Sequence, residues 1–428
     1  MPEIGNPLGA WTASKLGFAG SSFSRSDLVS YQMQQLRQTI AWTRQRSSFY
    51  RRALRDLDEA TLSTPDDLRR LPFTTADDLR RNDPPLLCVS QDEISRVVTL
   101  DTSGTTGTPK RLFFTAEEQE STLDFFHHGM QLPARAGDRV LILFPGERPG
   151  SVGDLLGAAL KRLGAIPIQA GWPQDLPAAA ALLRNERPDV VAGAPVPMLA
   201  LARHAAAFGQ LPVRVRSVLL SSDHAAASLR RALADLWHCE IFEHYGMTEM
   251  ALGGGVDCAA HDGYHMREHE LLLEIVDPAS GERLPTGALG EVVFTTLTRR
   301  GLPLIRYRSG DISRMLPGDC ACGSPLVRIE RVNGRIAGGV DLGSAGTLTM
   351  SALDEALFSI NGVADFGATL HPGSPPTLHL DILSVADVAP GDIRAALADL
   401  GPQVTIAISA DDKLRSGIGK RRITAAVA

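Results

Sequence analysis

The stretch Asp101-Thr102-Ser103-Gly104-Thr105-Thr106-Gly107-Thr108-Pro109-Lys110 gathers hydroxyls, glycines and one closing lysine. Glycine lets backbone N–H groups approach an oxyanion with no Cβ in the way, threonine hydroxyls add donors, and lysine adds a full positive charge. That is the composition of a polyphosphate cradle, with Thr102, Ser103, Gly104, Thr105, Thr106, Gly107 and Lys110 as its contacts. It is not the Walker loop, because Thr108-Pro109 separates Gly107 from Lys110. A polar hairpin loop of ordinary turn residues is the competing reading.

Two further stretches carry chemistry. Tyr245-Gly246-Met247-Thr248-Glu249 closes the strand-like run EIFEHY. A hydroxyl and a carboxylate just past a parallel strand sit at the binding edge of an α/β sheet, and Glu249 is a hard oxygen ligand suited to Mg²⁺. A Thr-Glu helix cap would look the same. In Arg306-Tyr307-Arg308-Ser309-Gly310-Asp311 the acid after glycine can accept from two vicinal hydroxyls, the geometry of a ribose, and an ordinary turn acid is the alternative. Near the C-terminus, Ser416-Gly417-Ile418-Gly419-Lys420-Arg421-Arg422 reads by composition as a basic tail.

The cysteines suggest a metal. Cys320-Ala321-Cys322 lies on a Pro/Gly turn, with Cys258, His261 and His265 upstream. Three thiolates and an imidazole suit a closed structural Zn²⁺ site made by Cys258, His265, Cys320 and Cys322, with His261 as the substitute imidazole. Free thiols and hydrogen-bonded histidines are the other reading. Cys88 and Cys239 have no such neighbours and read as apolar filling.

In its residue order, TSGTTGTPK resembles the phosphate loop of the adenylate-forming superfamily, and YGMTE resembles that superfamily's second nucleotide motif. The resemblance implies that the Tyr245 ring stacks on adenine, Thr248 contacts the α-phosphate and Glu249 holds the metal, with Gly246 inside the motif. It places Ser221-Ser222-Asp223 along the adenine pocket, with SSD where a Gly/Ala-Glu-Pro is more usual. RSGD is close to the family's YRTGD and makes Asp311 the ribose ligand. Arg335 matches an arginine near ribose and phosphate at a domain hinge. Lys420 matches the lysine that bridges carboxylate and α-phosphate, where loss of one such electrostatic group costs ~10²–10³-fold in rate.

The phrases LRRLPFTTADDLR, PLIRYRSGD, CACG and VRIERVNGR are similar to phenylacetate-CoA ligase and its aryl-CoA ligase relatives, some of which pair a Cys…His segment with Cys-X-Cys in the same way. The similarity covers residues 30 to 335 and fades beyond. It implies ATP, Mg²⁺ and CoA as cofactors or co-substrates and an aromatic or heteroaromatic carboxylic acid as substrate. The acid pocket is expected at Phe144, Pro145, Ala194, Pro195, Phe242 and His244. Ile336-Ala337-Gly338-Gly339 stands where those relatives carry hinge acids, and Ser344-Ala345-Gly346-Thr347 replaces an Arg-Gly-Val-Asn-like loop. Acyl transfer to a carrier protein or an amine, or nucleotide binding without turnover, therefore stay open beside CoA thioester formation.

The elements that must position these groups follow from pattern. Ile94 to Leu100 alternates as a strand, and apolar residues return at Leu112-Phe113-Phe114. From Arg139 the chain alternates strand and helix: VLILF, 153–163, AIPIQA, 176–184, VVAGA, 197–206, VRSVLLSS, 225–237 and EIFEHY. This βαβ rhythm predicts an α/β fold with a largely parallel sheet covered by helices on both faces. Short strands at 270–276, 290–295 and 303–311 predict a small β-rich subdomain. Residues 351–360, TLHLDIL, 391–399 and VTIAIS predict an independent, mobile α+β module. The expected domains are 1–332 and 333–428.

A chain of 428 residues that is 44% hydrophobic can bury a large core. A net charge of -6 gives no electrostatic reason to expect nucleic acid or an anionic membrane as partner. No apolar run approaches the ~20 residues of a membrane span, the N-terminus lacks a secretory pattern, and five cysteines do not form a disulfide framework. A cytoplasmic protein is the expectation, with its oligomeric state open.

Overall fold

Ile94–Leu100 forms the strand its alternation predicts and pairs antiparallel with Lys110–Thr115, Leu100 opposite Lys110. The computed structural model describes residues 5–18, 22–83, 85–100, 108–209, 214–342, 346–373, 376–400, 403–409, 413–417 and 420–426. Thr102 to Gly107 of the cradle, and Ser344-Ala345, lie outside the described residues. The chain divides into two compact units, Met1–Leu132 with His244–Val332, and Pro133–Glu243 with Asn333–Ala428. Residues 133–243 thus group with the C-terminal segment.

In the first unit, the Lys110–Thr115 strand runs directly into the helix Ala116–Gly129. Thr115 caps that helix and forms a capping box with Glu118. Thr75 caps Ala76–Arg81 in the same way with Asp78; its neighbour Thr74 is buried and donates to Ile305 O. Leu271–Val276, Gly290–Thr296 and Tyr307–Ser313 make a three-stranded antiparallel sheet. The third strand starts later than the 303–311 pattern suggests. Leu304 N donates to Thr296 Oγ1, Ile305 N to Tyr50 Oη and Arg306 N to Thr295 Oγ1, and Arg306 takes φ 45, so these backbone groups serve side chains rather than a ladder. Gly255–Val256, Tyr264–Met266 and Arg328–Ile329 add short strands beside His244-Tyr245.

The second unit carries the parallel sheet. Ile166–Gln169, Arg139–Leu143, Val190–Gly193, Ser217–Leu220 and the start of Glu240–Tyr245 lie in that order, all parallel. The helices between them are Val152–Leu163, Leu176–Glu186, Pro195–Ala207 and Ala227–Trp237. PVPMLALARHAAA is apolar nearly all round, and Pro195 to Ala205 are all buried, as an all-apolar helix must be.

The C-terminal segment supplies the cover for that helix. It has the expected α+β content, with helices Met350–Leu357 and Pro390–Ala396 and a four-stranded sheet ordered Gln403–Ser409, Thr377–Ser384, Val363–His371 and Thr424–Ala425. It is not independently packed: Leu199, Leu201, Leu229 and Leu233 form one apolar cluster with Leu353, Phe358, Phe366 and Leu380. Arg203, 6% exposed, donates to Val363 O and, at 2.7 Å, to Phe358 O. Among the described residues, no helix is long and apolar enough to cross a membrane.

Candidate functional site

Glu249 sits in a single helical turn, Thr248–Met250, just after the strand Glu240–Tyr245. Its carboxylate is 6% exposed and receives Lys110 Nζ, and Tyr307 Oη donates to the same Oε1 at 3.0 Å. Lys110 Nζ also lies 3.4 Å from Tyr307 Oη. The closing lysine of the cradle, the acid of YGMTE and the tyrosine of RYRSGD thus meet at one point. Burial pushes the Glu249 carboxyl up, and the Lys110 ammonium together with hydrogen bonds from the backbone and from Tyr307 outweighs this, leaving the carboxyl below the usual range. A buried anion with a hard-oxygen face fits a divalent cation; in this structure the Lys110 ammonium supplies that positive charge.

A second pair lies alongside in sequence. Tyr245 Oη donates to Asp311 Oδ2 at 3.1 Å, and both residues are buried. The Tyr245 ring stacks near Tyr264, with centroids 5.9 Å apart and planes at 23°. Gly310 takes φ 75, and Asp311 N donates to Ser309 Oγ, so the acid is carried on a tight turn within the Tyr307–Ser313 strand. Gly246 has no room for a side chain: an added Cβ would stand 2.4 Å from Leu252 O. That close approach is the physical reason for glycine inside YGMTE. His244 packs against the Phe125 and Phe126 rings, and burial lowers its pKa to about 4, so it is neutral near pH 7.

In the second unit, three adjacent parallel strands deliver the other expected residues to one sheet edge. Phe144-Pro145 follow Arg139–Leu143, Ala194-Pro195 follow Val190–Gly193, and Ser221-Ser222-Asp223 follow Ser217–Leu220. The register Leu143↔Gly193↔Leu220 sets these three exits side by side. Phe144, Ala194 and Pro195 are buried, whereas Phe242 is buried in mid-strand rather than at a strand end. Ser222 takes φ 79, a left-handed conformation that a serine adopts only when its surroundings hold it there.

Lys420 is exposed, and its neighbour Arg421 is not. Arg421 N lies 3.3 Å from Asp223 Oδ2, its guanidinium pairs with the buried Asp354, and Nη2 donates to Phe366 O. The Ser222-Asp223 edge and the Lys420 segment are therefore in contact through Arg421. Arg335 is exposed at the start of a turn closed by Gly338 N on Arg335 O, and Ala337 in that turn is exposed too.

The four expected metal ligands also converge. The ligand atoms of Cys258, His265, Cys320 and Cys322 all lie within 4.8 Å of one another. Cys258 Sγ is 3.6 Å from Cys320 Sγ, close to the ~3.7 Å edge of a tetrahedron with ~2.3 Å arms. Cys322 Sγ is 3.2 Å from His265 Nε2, and His265 Nδ1 faces Leu326 O at 3.2 Å. A proton on Nδ1 donated to that carbonyl leaves Nε2 as the donor atom, the usual second contact of a ligating histidine. His261 turns its Nδ1 to Asp257 Oδ2 at 2.8 Å and stays out of the set. Cys88 is buried and Cys239 half-buried, and burial raises both thiols to about 12.

Pattern reasoning missed Tyr307 as a contact of Glu249, and it missed Arg299 and Arg267. Arg299 donates to Glu249 O and Arg267 to Met250 O. Tyr307 stood inside a quoted motif; the two arginines carried no spacing signal.

The family described as AMP-binding enzyme matches residues 53–297. The chain is 32% identical over 283 residues to the phenylacetate-coenzyme A ligase of Pseudomonas putida, spanning 64% of this chain and 62% of that protein. It is 30% identical over 324 residues to the ligase of the same name from Thermus thermophilus, spanning 73% and 71%. The fold is similar to that of a solved 2-hydroxyisobutyryl-CoA ligase in the postadenylation state in complex with 2-HIB-AMP, with TM-score 0.81, 20% identity and coverage of 95% and 91%. The same ligase with 2-HIB-AMP and CoA in the thioesterification state gives TM-score 0.67.

Proposed function

The chain belongs to the AMP-binding enzyme family, by its match over residues 53–297 and its identity to phenylacetate-coenzyme A ligases, and from that premise we propose that it activates a carboxylic acid with ATP and passes the acyl group to CoA. The carboxylate oxygen attacks the α-phosphorus, the bond to the β-phosphate oxygen breaks, and pyrophosphate leaves acyl-AMP behind. The CoA sulfur then attacks the acyl carbon, and AMP departs.

The observation that carries this reading is the convergence of Lys110, Glu249 and Tyr307, with Tyr245 and Asp311 paired beside them in sequence. Lys110 binds phosphate with the 102–107 stretch, Tyr245 meets adenine, Asp311 holds the ribose hydroxyls, and Thr248 contacts the α-phosphate. Ser222 and Asp223 line the adenine, Arg335 reaches ribose and phosphate, and Lys420 spans the reacting carboxylate and α-phosphate. Mg²⁺ on Glu249 neutralises charge on the phosphates when bound. Phe144, Pro145, Ala194, Pro195, Phe242 and His244 line the acid pocket, and their apolar character favours an aromatic acid. These co-substrates fit the cytoplasmic location expected from the sequence.

Cys258, His265, Cys320 and Cys322 hold a structural Zn²⁺, supported by the donor set and the Leu326 carbonyl behind His265. The exposed Ala337 in the hinge turn favours one alternative, transfer of the acyl group to a carrier protein or amine instead of CoA. ATP–pyrophosphate exchange with a panel of aryl acids tests the first step. CoA thioester formation, against hydroxylamine trapping of acyl-AMP, tests the second. No acid-dependent exchange across the panel would leave a nucleotide-binding protein without turnover.

A further inference from the structure

Arg299 is 6% exposed, and with its acid partner Glu118, at 3.9 Å, it forms an ion pair without a hydrogen bond. Its fork is used on two carbonyls. Nη1 donates to Glu249 O at 2.9 Å and Nη2 to Phe113 O at 3.0 Å. Phe113 lies on the Lys110–Thr115 strand, three residues past Lys110. One rigid plane therefore ties the backbone of the metal-site turn to the strand that carries the lysine facing it.

The next two carbonyls of the turn are clamped as well. Arg267 Nη2 donates to Met250 O at 2.8 Å, and the single Thr122 hydroxyl proton is shared between Ala251 O at 3.1 Å and Glu118 O at 3.0 Å. The turn needs holding, because Ala251 (φ 52) and Leu252 (φ 65) are consecutive non-glycine residues in the strained left-handed region. The hydrogen bonds of the buried Arg299 cation go to main-chain carbonyls, with Glu118 as a charge partner at 3.9 Å, and a lysine cannot donate to both carbonyls from one plane.

We propose that Arg299 is a positioning residue that sets the separation of Lys110 and Glu249, with Arg267 and Thr122 fixing the rest of the turn. The inference rests on the reading that Glu249 holds Mg²⁺. Losing the fork lets the Glu249 peptide drift, and misplacement by ~1 Å can cost ~10²-fold. The drift acts on metal and ATP and leaves the acid untouched. A cavity of about 190 Å³, lined in part by Met250, Ala251, Arg267 and Arg299, gives free guanidinium a route to the vacated position in Arg299→Ala.

The test uses full-length enzyme in ATP–pyrophosphate exchange at saturating acid, with the thermal midpoint measured alongside. Arg299→Lys should raise the Mg²⁺ concentration for half-maximal rate about tenfold while the acid KM stays unchanged. Guanidinium at low millimolar concentration should restore Arg299→Ala in part, and methylammonium should not. Thr122→Val removes one clamp without touching a charge and should shift the Mg²⁺ requirement a few-fold in the same direction, so a poorly folded arginine variant does not end the test. An Mg²⁺ requirement unchanged in Arg299→Lys and Thr122→Val, or an acid KM that rises in step with it, overturns the proposal. If Glu249→Gln itself leaves the Mg²⁺ response unchanged, the metal reading has failed instead.

Discussion

Tyr245 Oη donates to Asp311 Oδ2 at 3.1 Å, joining two motifs 66 residues apart in sequence. The bond fixes the Asp311 carboxylate against the Tyr245 hydroxyl, the two groups proposed above for ribose and adenine. Asp311→Ala should raise the ATP KM of pyrophosphate exchange at least ~10-fold, the scale of a lost charged hydrogen bond, with the acid KM unchanged. Tyr245→Phe keeps the ring and should show a smaller rise. An ATP KM unaffected in both variants removes the nucleotide role of the pair.

Glu249→Gln should retain the fold and lose most exchange at limiting Mg²⁺, because a neutral amide is a poorer ligand. Its pH signature has a definite sign. The folded carboxyl is held below the ordinary glutamate value of about 4.5, so its contribution to stability is present above that value and disappears as pH falls through the lower folded value. Wild-type stability should therefore fall more steeply than that of Glu249→Gln below about pH 4.5. Parallel denaturation curves across that window would count against the Lys110 pairing.

Purified without added metal, the protein should carry one zinc per chain. His265→Ala should lose it, and His261→Ala should keep it, since His261 faces Asp257. Chelation should lower the thermal midpoint, because the site joins the segments around 258–265 and 320–322 and metal binding is coupled to folding. Freely titrating thiols at Cys258, Cys320 and Cys322 in metal-free protein of unchanged stability would reject the site.

Lys420→Ala should suppress acyl-AMP formation by ~10²-fold or more and leave thioester formation from supplied acyl-AMP nearly intact. The neighbouring Arg421 is bound to Asp354 and Phe366 and anchors the segment, so the substitution at exposed Lys420 should not unfold it. Equal loss of both steps would make the lysine structural.

Strands and helices from 139 to 245 were legible because each has one period and a clear break. The Val363–His371 strand was not, since VADFGATLH mixes a buried Asp365 and a glycine into its run. Asp365 is tolerated there because its carboxylate accepts from Phe366 N, Ser416 N and Ser416 Oγ, contacts that only the folded chain supplies. The motif residues were legible because their chemistry is in their side chains. Arg299 was not, because its partners are main-chain carbonyls, which every residue has.

The buried Pro195–Ala207 helix bears on temperature as well as on architecture. Met198, Leu199 and Leu201 are fully buried, and Leu199 and Leu201 share an apolar cluster with residues of the C-terminal segment. A catalytic cycle that swings this segment off the helix wets that face on each turnover. It also strips Arg203 of both its carbonyl acceptors. Exposing apolar surface raises heat capacity, so the swing carries an activation enthalpy that grows with temperature. The CoA-dependent rate should then trace a curved Arrhenius plot while acyl-AMP formation traces a straight one, and matching slopes for the two steps would show that the segment stays seated.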